Sequence, residues 1–190
     1  AKQKMNRTPI VWSLEKKKRA PSILSFPGKI TGSLTAQKLF LSDSNHNRIL
    51  VTNLEGKVLQ SIGTGKIGFK DGDFQSSTFF RPQGLAYDAE REQLYVADTN
   101  NHAIRRVDFK TQKVKTIVGS GTKGGYPPQG GIGRNANLAS PWDVLLVKGY
   151  LYVANAGTHQ VWRIDLRTLD AAPYAGTGRS EEHTSELQSH

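Results

Sequence analysis

Apolar residues in this chain come in short runs, cut by Asp, Asn, Gly and Lys. Leu94, Tyr95, Val96 and Ala97 form one run; Ile104, Val107 and Phe109 form the next, and Val114, Ile117 and Val118 a third. Each is rich in β-branched and aromatic residues and bounded by turn formers, which predicts strands. No segment sustains an apolar i, i+3, i+4 pattern with caps. The pattern predicts four strands over about 83–87, 93–97, 103–108 and 113–118.

The same phrase occurs three times. LFLSDSNHNRI, LYVADTNNHAIRRVD and LYVANAGTHQVWRID each follow a Pro-led segment and precede a Gly-x-Gly. Pro27, Pro82 and Pro141 are 55 and 59 residues apart, and Asp43, Asp98 and Asn155 are 55 and 57 apart. The pairs Gly63/Gly65, Gly119/Gly121 and Gly176/Gly178 keep the same period, at 56 and 57. A fixed period of this size marks a repeat architecture in which one unit cannot bury its apolar face alone. The expectation is an all-β fold, a partial β-propeller of about three four-stranded blades (26–79, 80–138 and 139–178) belonging to a larger closed ring. An open arc would expose apolar blade faces, so this chain alone is expected to be poorly soluble or to self-associate.

Charge changes the picture at the ends. The formal net charge is +10 over 190 residues. Residues 1–19 hold seven Lys and Arg against Glu15, and read as a basic linker, 1–25, from an upstream domain. Residues 20–178 still hold 18 Lys and Arg against 12 Asp and Glu. Residues 179–190, RSEEHTSELQSH, resemble the translated sequence of a library adapter and are set aside as a non-native tail. The chain starts at Ala1 with its only Met at position 5, so a natural start is not expected there. It has no cysteine, which removes disulfide and zinc-thiolate chemistry, and no apolar run near the ~20 residues of a membrane helix.

Candidate chemistry is sparse. GTGKIG and GSGTKG fit G-x-G-x-x-G, but no helical pattern follows, so the glycines read as turns with positive φ rather than as a dinucleotide site. Asp43, Asn45, Asp98, Asn100 and Asn155 read as turn residues whose side chains bond the backbone two residues on. His46, His102 and His159 lie in the same turns, with His46 offset by one. They read as structural, since equivalent positions on successive blades do not converge. Trp142 and Trp162 are expected to pack within the third blade, and Trp12 has no evident role. The long connections 66–80 and 122–139 supply candidate partner contacts: Asp71, Asp73, Lys123, Tyr126 and Arg134. Asp71 and Asp73 lack the ligand spacing of an EF-hand loop. No catalytic constellation, cofactor site or metal site is expected in this segment.

At these residues the chain resembles NHL-repeat propellers. More narrowly, SIGTG, DGDF, STFFRPQGLAY, YVADTNNHAIR, SPWDV and AGTHQVW run in the order found in the NHL repeat-containing protein 2 family. TPIVWSLEK and FLSDSNHNRILVTNLEG resemble its plant members, of the suppressor of quenching type. Asn155 for Asp departs from the pattern. The resemblance covers about residues 7–178. It implies a longer parent with a thioredoxin-like domain before the propeller, further blades after it and a β-rich C-terminal domain. Plant forms would add a phosphatase-like domain and a membrane span upstream. Any redox cysteine would lie upstream of this sequence. It also implies a non-catalytic scaffold that binds protein partners through its blade loops and positions the neighbouring thioredoxin-like domain. In plants it would act as a negative regulator of photoprotective quenching in the chloroplast thylakoid lumen; in animals it would be cytoplasmic. No membrane contact is expected from this segment. Two alternatives stay open: an RNA-binding propeller, and a hydrolase or lyase with a central metal.

Overall fold

The computed structural model describes residues 23–178. Most of the basic linker, Trp12 and the 179–190 tail lie outside the described residues. Short alternating runs joined by tight turns build three antiparallel sheets. Blade 1 is β1 (Pro27–Ser33), β2 (Lys38–Asp43), β3 (Arg48–Asn53) and β4 (Val58–Ile62). Blade 2 takes a two-residue strand from the preceding connection, β5 (Gly72–Asp73), followed by β6 (Pro82–Asp88), β7 (Gln93–Asp98), β8 (Ala103–Asp108) and β9 (Lys113–Val118). Blade 3 repeats this with β10 (Gly131–Ile132), β11 (Pro141–Val147), β12 (Tyr150–Asn155), β13 (Gln160–Asp165) and β14 (Asp170–Ala175).

The four expected strands of the second repeat are present within one residue at each end. The short outer strands are an addition. β5 pairs with β9 and β10 with β14, so each long connection adds a rib to the outer edge of the blade that follows. Gly72 and Gly131 precede their blade's Pro by ten residues in both cases.

The blades stand side by side as a propeller arc. The innermost strand β6 lies against both β1 and β11. Glycine makes that approach possible: a Cβ on Gly84 would sit 2.5 Å from the Asp143 Cα. Lys29 of blade 1 then reaches past β6 to an ion pair with Asp143 of blade 3, at 2.7 Å.

Two apolar seams hold the arc. Phe40, Ile49, Val51 and Ile62 of blade 1 pack on Phe74, Phe79, Leu85, Leu94 and Val96 of blade 2. Tyr95, Ala97, Ile104 and Ile117 of blade 2 pack on Leu138, Val144, Leu151, Val153 and Trp162 of blade 3. Each fully buried side chain of this size contributes roughly 1.5–3 kcal/mol. The far side of blade 3 is different: Trp142, Leu145, Val161 and Tyr174 are exposed. Trp162 is fully buried as expected. Trp142 is not buried; it is 53% exposed, at the register irregularity between Pro141 and Asp143 where it has no partner across β12.

Candidate functional site

The repeated turn after the second strand is the most elaborated local structure in the chain. Each copy is a single 3-10 turn: Ser44–His46, Thr99–Asn101 and Ala156–Thr158. Each closes on a left-handed residue, Asn47, His102 or His159, at φ 49°, 48° and 52°. The His46 offset is thereby explained. His46 lies inside its turn, and Asn47 occupies the place of the other two histidines.

The Asp and Asn side chains do not bond two residues onward, as the sequence suggested. Asp43 Oδ1 accepts from the Ser25 N–H at 2.7 Å, Asp98 Oδ1 from Phe80 at 2.8 Å, and Asn155 Oδ1 from Ala139 at 2.9 Å. The reason is pairing. The innermost strand is antiparallel to the second, so the Pro sits opposite the acid in each blade (Pro27 opposite Asp43, Pro82 opposite Asp98, Pro141 opposite Asn155). The return bonds run Asn45 N–H to Ser25 O, Asn100 N–H to Phe80 O and Gly157 N–H to Ala139 O. The turn therefore clamps the lead-in of its own blade.

It also latches the next blade. Ser44 Oγ donates to Pro82 O at 2.6 Å, and Thr99 Oγ1 to Pro141 O at 2.7 Å. The left-handed residue adds a second bond. Arg81 N–H donates to Asn47 Oδ1 at 3.0 Å, and Ser140 N–H to His102 Nδ1 at 3.0 Å. That bond requires neutral His102, and burial together with Lys123 holds its pKa below the usual value. In blade 3 the hydroxyl position is Ala156, which cannot donate.

Electrostatics separate the copies. Burial would raise the Asp43 carboxyl, but the Ser25 N–H, Arg48 and His46 outweigh it and hold the pKa low. Arg48 Nε and His46 Nδ1 both lie 2.8 Å from Asp43 Oδ2. Asp98 is fully buried, and burial pushes its pKa up to about 6 against the pull of Arg105, Asn101 and the Phe80 N–H. Arg105 is fully buried too. It donates to Asp98 Oδ2 (2.7 Å), Thr78 O, Lys70 O and Asp71 Oδ1 (each 2.9 Å), which leaves Nε as its one unpaired donor. Its guanidinium lies between Phe69 and Phe79, 5.2 and 5.1 Å from the ring centres.

The connection residues offered as partner contacts fall into two groups. Asp71 is half-buried and committed within the chain: it binds Arg105, the Thr116 N–H and the Thr116 hydroxyl, and pairs with Arg134 at 3.8 Å. Asp73 Oδ1 closes its own turn by accepting from the N–H groups of Gln75 and Ser76 and from the Ser76 hydroxyl. Arg134 is exposed and lies 5.2 Å from the Phe69 ring centre, on the Arg105–Phe69–Phe79 stack. Lys123 and Tyr126 are exposed on the 122–139 connection. Gly63, Gly65, Gly119, Gly121, Gly176 and Gly178 all have positive φ, between 79° and 99°. At Gly121 the requirement is also spatial, since a Cβ would meet Phe69 at 2.6 Å. Sequence reasoning missed Arg105 and the Ser44/Thr99 latch. The apolar neighbours Ile104 and Val107 were the available signal that this strand is covered on both sides.

Comparisons with known proteins agree with this architecture. The family model of the NHL repeat matches residues 79–106, which span the clamp and turn of blade 2. Over 93% of its length the chain is 45% identical to protein suppressor of quenching 1, chloroplastic, from Arabidopsis thaliana, of which it covers 17%. It is 41% identical over 87% of its length to human NHL repeat-containing protein 2, of which it covers 25%. A probable peptidyl-alpha-hydroxyglycine alpha-amidating lyase of Caenorhabditis elegans is 27% identical over 58% of the chain. Among solved structures, a Bacteroides thetaiotaomicron protein of unknown function aligns with TM-score 0.66 and 18% identity, over 78% of this chain and 35% of that one. An auxiliary nutrient binding protein of Bacteroides ovatus aligns at TM-score 0.60 over 77% and 37%. These two show the fold alone. The chain thus spans 17–26% of the length of the curated relatives it matches. Residues 79–106 carry an NHL repeat, and the chain is homologous over most of its own length to one stretch of suppressor of quenching 1 and of NHL repeat-containing protein 2.

Proposed function

We propose that this arc is a non-catalytic interaction module of a thioredoxin-like NHL-repeat regulator. Its blade loops meet a protein partner and hold the neighbouring thioredoxin-like domain, which carries the chemistry. In a plant the setting is the chloroplast, within the thylakoid lumen, and the output is restraint of photoprotective quenching; in an animal it is cytoplasmic. The blades run 26–79, 80–138 and 139–178, with 1–25 as the link and 179–190 foreign to the protein.

One observation carries this reading. The carboxylates on the turn face, Asp43 and Asp98, are committed to clamping their own blades, and His102 to latching the next. The groups suited to acid–base work thus build the platform, and the connections are displayed from it. The test is co-purification with the full-length protein, comparing wild type with a Lys123→Glu, Tyr126→Ser variant. The expected result is loss of a specific bound protein with the melting temperature unchanged. A complete propeller that turned over a substrate unaided would overturn the reading.

A lyase reading has the nematode relative behind it. Against it, Lys29 and Asp143 of the innermost strands are already paired with each other at 2.7 Å. Metal analysis of the complete propeller decides between the two.

A further inference from the structure

The two seams differ at the ends of the strands that carry the tight hairpins, opposite the 3-10 turns. In the first seam this place is filled with rings. Phe40 stacks on Tyr87 at 4.5 Å, and Phe109 lies 5.4 Å from Phe40 and 5.7 Å from Phe74. Val51 closes the layer, 2% exposed. Strand registers align the same positions in the second seam: Tyr95 for Phe40, Leu146 for Tyr87, Leu166 for Phe109 and Arg106 for Val51. Two rings become leucines and the valine becomes an arginine. What remains is a groove of about 350 Å³ between blades 2 and 3, lined by Arg91, Gln93, Tyr95, Arg106, Leu166 and Arg167.

Three guanidinium groups, two from hairpin turns (Arg91, Arg167) and one from within β8 (Arg106), line this groove. Arg91 is paired with Asp88 at 2.9 Å, whereas Arg106 and Arg167 form no ion pair among the described residues. Asp108, which feels the charge of Arg106, is bound instead by the Gln93 amide at 2.8 Å and by Thr111. Lys113 and Lys115 continue the positive surface beside Arg106. A half-buried arginine without a counter-ion in a groove open to solvent offers a planar fork to a carboxylate.

We propose that this seam binds an acidic, Glu- or Asp-bearing extended segment of a protein partner, on the face opposite the turns. Its volume lies in the range of small binding clefts. The observations favour a peptide over nucleic acid. The aromatic ring at the site, Tyr95, is 2% exposed and presents no face on which a base could stack. The seam does not depend on the loop-face reading above.

The test titrates a fluorescein-labelled peptide of six glutamates with flanking glycines against the protein at low salt. Arg106→Val restores the blade 1 residue, and Arg106→Gln removes the charge with less change in shape. Lys66→Gln, near the turns of blade 1, is the control. The expected result is about tenfold weaker binding in both Arg106 variants, less than twofold change in the control, and steep weakening with salt. Retained melting temperature in Arg106→Gln separates loss of binding from loss of fold. Equal affinity of wild type and both Arg106 variants overturns the proposal. So does Arg106-dependent binding of an oligouridylate with no binding of the peptide.

Discussion

Blades 2 and 3 hold the same turn in two ways. Blade 2 uses Asp98 as the clamp and must neutralise it, so Arg105 enters the core at the middle of β8 and reaches Asp71 on the preceding connection. Blade 3 uses Asn155, which makes the same bond to its lead-in without a charge, and the position of Arg105 is taken by Trp162. Trp162 Nε1 donates to Gln160 Oε1 at 3.0 Å, within its own blade. Blade 1 is a third variant: Asp43 keeps its charge, Arg48 neutralises it from the rim while His46 hydrogen-bonds the same oxygen, and Leu50 fills the core position. The backbone bond is thus the common requirement. The charged solution gives more than a neutral one can, because it ties the 66–80 connection to the blade through one guanidinium.

The largest effect is expected from breaking the charged solution. Arg105→Leu copies blade 1 in the core while leaving Asp98 buried without a counter-ion. We expect a loss of about 3 kcal/mol in denaturant unfolding. Adding Asp98→Asn should recover more than half of it, because the double variant converts blade 2 to the neutral type of blade 3. A double variant no more stable than Arg105→Leu would show that Arg105 acts through Asp71 and the phenylalanines instead.

The hydroxyl latch comes next. Thr99→Val keeps the shape of the side chain but leaves Pro141 O without its donor, and a loss of about 1–2 kcal/mol is expected. Ser44→Ala should lose a similar amount at the first seam. Ala156→Ser should leave stability unchanged, because among the described residues no carbonyl stands in the place that Pro82 O and Pro141 O hold for Ser44 and Thr99. Stabilisation of this chain by Ala156→Ser would mean that the hydroxyl acts within its own turn.

The strands and their period were legible because a β-sheet writes itself in alternation, and three copies of one alternation reinforce each other. The outer ribs were not. Gly72–Asp73 and Gly131–Ile132 are two residues long, too short to show a period, and they form only because β9 and β14 present an open edge. The turns were legible as turns from Asp, Asn and Gly. Their long-range bonds were not, since a side chain that reaches 18 residues back leaves the same local signature as one that reaches two. Arg105 and Arg106 are adjacent and look alike in sequence. Strand geometry sends one into the core and the other to the seam, and only the neighbours across each sheet decide which.

Acid titration sharpens the comparison of clamps by a smaller amount. Asp98 has a folded pKa raised to about 6, so the protonated form is favoured in the native state. Its contribution to stability is complete below the ordinary carboxylate pKa and is lost as pH rises through about 6. Asp43 and Asp108 have lowered values, and their contributions run the other way, lost as pH falls. Wild type should therefore lose stability relative to Asp98→Asn between about pH 4 and 6 and run parallel to it above. A constant difference across that range in melting experiments would mean that Arg105 keeps Asp98 ionised throughout.

The smallest effect tests the two latching acceptors, Asn47 and His102. Both accept the N–H of the residue before the next Pro at 3.0 Å, but only one can titrate. The pKa of His102 is lowered by burial and by Lys123, so the native state favours the neutral ring. Its stabilisation is full above the ordinary histidine pKa and is lost as pH falls through the depressed native value. Below that, the proton on Nδ1 faces the Ser140 N–H, and donor meets donor. His102→Asn copies the first seam into the second: it should keep the bond and remove the pH dependence. The readout is amide exchange at Ser140, where acidification should speed opening in wild type relative to the variant once intrinsic exchange is divided out. Identical pH profiles for the two proteins would mean that His102 holds the second seam by shape alone.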